Sequence, residues 1–136
     1  MYDNENHLQW GLCVIFTYFE IQTTAINSVR QKVRYAEDED NPQLLSFWLM
    51  AEQTLFTASD INVSEDARWQ LYQGQFRLLL DAICDNLLSE HWRQLCLDNI
   101  YRPLTDLNRI SQCEASKKRL RHLWLELNIT SQYFHC

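Results

Sequence analysis

Cys84 and His91, seven residues apart with Glu90 beside the imidazole, come nearest in this chain to a metal-binding pair. They share a face only if one helix runs through both, and a zinc site needs two further ligands that no local Cys or His supplies. The expectation is therefore no metal and no cofactor. The run Glu37-Asp38-Glu39-Asp40 is the densest group of carboxylates. It lacks the glycine and ligand spacing of a calcium loop and reads as a solvated connection. With only Gly11 and Gly74 in the chain, no glycine-rich phosphate loop can form. Neither a Gly-x-Ser-x-Gly elbow nor a His-Glu-x-x-His pair occurs. His122 stands among Lys117, Lys118, Arg119 and Arg121, where a solvent-facing role suits it better than that of a base. The residue types point away from an enzyme.

Charge is more informative than catalytic chemistry. The net charge of −6 divides unevenly. Residues 1–66 hold eleven acids against three bases, and residues 67–136 hold seven acids against nine bases. Within 102–122 the cations are Arg102, Arg109, Lys117, Lys118, Arg119 and Arg121, opposed only by Asp106 and Glu114. Such asymmetry steers and orients partners. One reading makes 104–127 a helix-turn-helix, with Lys117, Lys118, Arg119 and Arg121 opening a recognition helix toward nucleic acid. Against it, no glycine marks the turn, Ser111 falls where an apolar residue belongs, and the chain is acidic overall. The other reading sets the basic helix end against an acidic protein surface or against the chain's own 37–40 run.

The elements that must position these groups are helices. Leu8, Leu12, Ile15, Phe19, Ile26, Val29, Val33 and Ala36 are spaced by fours and threes, with Gln22 the one polar member of the series. That stripe spans about eight helical turns, or about 45 Å, and such a helix needs neighbours along its length. Asn4 or Asn6 caps its start. Pro42 opens a second helix to about Ala58, with Leu44, Trp48, Ala51, Leu55 and Ala58 in line. Ser64 followed by Glu65 and Asp66 opens a third, to about Leu88, with Trp69, Tyr72, Phe76, Leu79, Ile83 and Leu87 in register. Gly74 inside it suggests a close helix contact or a bend. Ser89-Glu90 starts a short fourth helix to about Tyr101. Pro103 opens the last, carrying Ile110, Cys113, Leu120, Trp124 and Leu127, with a break near Gln112–Ala115 left open.

A single all-α domain over 1–136 follows: a compact bundle of four long helices and one short one, mostly antiparallel. Each expected helix carries one tryptophan, Trp10, Trp48, Trp69, Trp92 and Trp124, read as core anchors with one or two left for an interface. No run approaches a membrane span, and Met1-Tyr2-Asp3-Asn4-Glu5-Asn6 is too acidic to begin a signal peptide, so the expected setting is the cytoplasm. Five cysteines without Cys-x-x-Cys spacing fit reduced thiols, and the sequons at Asn62 and Asn128 then carry no glycan.

Helix two is apolar nearly all round from Leu44 to Ala51, and Trp10, Tyr18 and Ile21 give helix one a second apolar flank. More apolar surface than one neighbour can bury suggests a homodimer or a bound protein. The expectation is a small cytoplasmic protein that works by binding another protein, as a regulator, an inhibitor or anti-activator, an immunity factor or a secretion chaperone. Its surface would be Phe47, Trp48 and Met50 with Glu37, Asp38, Glu39 and Asp40 as an acidic rim. The alternative is a DNA-binding regulator using Lys117, Lys118, Arg119 and Arg121.

Overall fold

The computed structural model describes residues 24–59 and 64–134. The expectations for the start of helix one, for Trp10, Tyr18 and Ile21, and for Cys13 and Cys136 lie outside the described residues. The described residues form helices and connections, with no strand among them, so the chain is all-α.

Helix α1, over residues 24–35, buries Ile26 and Val33 on the side its apolar spacing dictates. It closes at Ala36, whose φ of 54° is left-handed, while the Glu37 N–H returns to the Lys32 carbonyl at 3.0 Å. Glycine usually supplies this closure. Residues 36–40 then turn the chain into α2 (Gln43–Ser59), and Arg30 of α1 meets Glu52 of α2 at 2.6 Å.

Helix α3 (Glu65–Cys84) is the centre of the bundle and packs against α4, α5 and α6. Its start is fixed by Ser64, whose hydroxyl accepts the Ala67 N–H at 3.2 Å, with Glu65 and Asp66 at the positive end of the helix dipole. Its end comes at Cys84 rather than Leu88. Asp85 takes an extended conformation, accepts the Leu87 N–H at 3.0 Å and binds Arg34 of α1 at 2.8 Å. An aspartate that bonds its own following backbone competes with helix continuation. Leu87, expected in the core stripe, is consequently 95% exposed. Gly74 is exposed, and a Cβ there would meet nothing within 4 Å, so it serves neither close approach nor contact.

Two ten-residue helices follow, α4 (Glu90–Asn99) and α5 (Tyr101–Ile110), separated by Ile100 alone. Pro103 explains the break. Its missing N–H would have bonded the Asn99 carbonyl, and its ring would strike that carbonyl, so α4 stops there and proline occupies the first turn of α5. Ser111, Gln112 and Cys113 separate α5 from α6 (Glu114–Phe134), which divides the expected last helix near the suspected place. Trp69 meets Arg119 and Arg77 meets Glu126 in the same order along both helices, so α3 and α6 run side by side in the same sense. The expected antiparallel arrangement does not extend to this pair, because two helices intervene.

Three tryptophans anchor the core. Trp92 is fully buried and its indole N–H donates to the Val33 carbonyl at 2.8 Å, tying α4 to α1. Trp48 is fully buried and donates to the Glu52 carboxylate at 3.0 Å. Trp69 is 4% exposed with its N–H unpaired. Trp124 instead sits at the surface against Tyr101, ring centres 5.9 Å apart.

Candidate protein-binding surfaces

Helix α2 divides its apolar residues between two sides. Leu44, Leu45, Trp48 and Leu49 face the core with Glu52, whose buried carboxylate is held by Trp48 and Arg30. Phe47 and Met50 face outward, 60% and 62% exposed. The expectation that Trp48 belongs to the presented surface is corrected: at 0% exposure it reaches no partner. Phe47 stands two residues, about 200°, around the helix from both Leu45 and Leu49, so it lies opposite the buried side to which Trp48 belongs.

Phe47 and Met50 line an open cleft of about 450 Å³ between α1 and α2, together with Ala25, Ile26, Val29, Ala51, Thr54 and Leu55. Thr54 is the one polar residue of the lining, and its hydroxyl is turned onto the Met50 carbonyl at 2.8 Å. The acidic turn Glu37, Asp38, Glu39 and Asp40 leads into α2 and is exposed throughout. Glu39 accepts from the Ser89 hydroxyl at 2.9 Å, which docks the turn on the start of α4. Among the described residues no ion pair joins this turn to the basic segment of α6.

That basic segment opens α6. Lys117, Lys118 and Arg121 are exposed, whereas the Arg119 guanidinium lies over the Trp69 ring, 4.3 Å from its centre. Arg119 thus covers a core tryptophan through a cation–π contact and is the least free of the four cations. The helix is capped by Cys113 and Ser116: the Ser116 hydroxyl donates to the Cys113 carbonyl at 2.9 Å and lies 3.3 Å from its sulfur. The Ser116 hydroxyl, joined by backbone amides, holds the exposed Cys113 thiol below its ordinary pKa. Further along, Arg77 grips Glu126 with both guanidinium nitrogens, at 2.7 and 3.2 Å, and holds that carboxyl below the usual range.

Sequence reasoning missed the outer face of α6. The helix buries Leu120, Leu123 and Leu127, and opposite them Leu125, Ile129 and Tyr133 are 56%, 47% and 79% exposed. Their spacing of four was legible as a second stripe. Lys118, Arg121 and His122 precede Leu125 and line a shallow depression of about 230 Å³ with it. The molecule therefore carries two apolar faces, one on a helix that follows an acidic turn and one on a helix that opens with cations.

No group of three or more His, Cys, Asp or Glu side chains gathers among the described residues where an ion could be held. Cys84 ends α3 and His91 lies within α4, so no continuous helix joins them. No helix of the described residues is long and apolar enough to cross a membrane. Comparison with models of protein families, with curated proteins and with solved structures gives no match in any of the three.

Proposed function

We propose that this chain acts by binding protein through the apolar cleft between α1 and α2, with Glu37, Asp38, Glu39 and Asp40 as its charged rim. The observation that carries the reading is the pair Phe47 and Met50, large apolar side chains held outward on a helix whose other face is anchored by Trp48. Aromatic and methionine side chains in a concave apolar patch with a polar rim are what interface cores are made of. The role is non-catalytic: a regulator, inhibitor or anti-activator, immunity factor or secretion chaperone. The setting proposed for it is the cytoplasm, on the sequence reading of five cysteines without Cys-x-x-Cys spacing.

The test is the native mass of the full chain purified from its own host, beside a Phe47→Ala/Met50→Ala variant. Complexes carried by the wild type and lost by the variant, with the helical signal unchanged, support the cleft. Complexes that survive both substitutions overturn it. One observation favours DNA binding as a second reading: α6 opens with exposed Lys117, Lys118 and Arg121 after a three-residue turn from α5. A salt-dependent gel shift abolished by Lys118→Glu/Arg121→Glu is its test.

A further inference from the structure

We infer that the occupant of the α1/α2 cleft is the outer face of α6 from a second copy of this chain, an inference that rests on the cleft being a protein-binding surface. Three observations carry it. The first is charge: the turn that leads into α2 is a run of four exposed acids, and the face of α6 begins with exposed Lys118, Arg121 and His122. The second is register. Reading N to C, Phe47 follows Asp40 by seven residues, and Phe47, Met50 and Leu55 then span about 12 Å of α2. On α6 Leu125 follows Lys118 by seven residues, and Leu125, Ile129 and Tyr133 span about 12 Å. Charge first and apolar surface second, over matching lengths, lets a second copy's α6 lie along α2 in the same sense, cation on acid and apolar on apolar.

The third observation is that one copy cannot satisfy itself. Leu120, Leu123 and Leu127 hold α6 against α3 and α5 of its own chain, so its outer face is directed away from the bundle it belongs to. Each copy thus has one acceptor face and one donor face, and the contact is head-to-tail. Such contacts extend into open assemblies or close into rings, in contrast to a two-fold dimer that stops at two.

The experiment uses the full chain in analytical ultracentrifugation across concentration, with two variants at exposed positions. Phe47→Glu/Met50→Glu removes the acceptor and Leu125→Glu/Ile129→Glu removes the donor. The wild type is expected to grow in mass with concentration and to shrink toward one copy as salt rises. Each variant alone stays at one copy. Mixed in equal amounts, they form a species of twice the mass and no larger, since only one competent interface is left. A neutralised pair, Asp38→Asn/Glu39→Gln for the acceptor and Lys118→Gln/Arg121→Gln for the donor, repeats the test without touching apolar residues, should a first variant lose its helical signal.

A wild type that is monomeric at every concentration overturns the inference, as do variants that remain associated alone or fail to pair when mixed. A monomer leaves the wider reading of the cleft standing. That reading falls only if Phe47→Ala/Met50→Ala keeps its complexes, a separate measurement.

Discussion

Trp48 and Phe47 are chain neighbours with opposite environments, and replacing each by alanine tests the arrangement on which the cleft depends. Trp48 is fully buried and donates to Glu52. Truncating such a side chain costs about 3–5 kcal/mol in lost transfer energy and residual cavity. Glu52 keeps Arg30 at 2.6 Å, so its carboxylate is not stranded and the cost stays in that range. Phe47 is 60% exposed, so less than half of its ring contributes. Complete burial of such a side chain is worth about 1.5–3 kcal/mol, which leaves about 1 kcal/mol for Phe47→Ala. In urea, at about 2 kcal/mol per molar, the midpoint should fall by about 2 M for Trp48→Ala and about 0.5 M for Phe47→Ala, with equal slopes. Since small domains are stable by only about 5–15 kcal/mol, the first variant approaches the edge of folding and the second does not. Trp48→Phe, which keeps most of the volume and drops the N–H, should fall between them. Equal losses for Trp48→Ala and Phe47→Ala would refute the reasoning, because Phe47 would then be core and the cleft would not be open.

Two opposite exchanges should both stabilise the fold. Gly74→Ala fills open space in a helix interior and gains up to about 1 kcal/mol, and Ala36→Gly relieves a left-handed alanine for about 0.5–1 kcal/mol; a lower urea midpoint in either variant contradicts the local geometry. Asp85 is held below the usual carboxylate range by Arg34 and the Leu87 N–H, and Glu126 by Arg77. Depressed folded-state values contribute stability that is complete above the ordinary carboxylate range and is lost as pH falls through the folded values. Asp85→Asn/Glu126→Gln should therefore lose less stability than the wild type between about pH 6 and about pH 3, and parallel curves would remove both ion pairs from the account. Burial pushes the Cys96 thiol up to about 12, whereas Cys113 is exposed and lowered. Peptide mapping after alkylation near neutral pH should find Cys113 modified and Cys96 spared until denaturant is added, and equal labelling would contradict the burial of Cys96.

What was legible in the sequence was local. The Ser64 and Ser89 caps, the 3.6-residue spacing through Ile26 and Val33, and the line Trp69, Tyr72, Phe76, Leu79 and Ile83 all reappear as helix starts and buried faces. These signals act between residues a turn apart, so the chain carries them without reference to its fold. The surplus of apolar residues on α2 was legible too, and so was the exposure of the acidic turn that precedes it.

Which side of α2 the bundle would take was not legible, because Phe47, Trp48 and Met50 are equally apolar and only the positions of α1, α3 and α4 choose among them. The outer face of α6 went unread although its spacing was present, because Leu125, Ile129 and Tyr133 stand out as surface only once Leu120, Leu123 and Leu127 are seen to fill the core. Asp85 ended α3 early by accepting the Leu87 N–H while Arg34, fifty-one residues away, holds its other carboxylate oxygen, and Arg119 left the basic set by stacking on Trp69. By itself the sequence determined that this protein is helical, where most helices begin, and that its apolar surface and its charge are unevenly shared. The tertiary structure decided which apolar residues are core and which are surface, because burial depends on neighbours that the chain brings together only on folding.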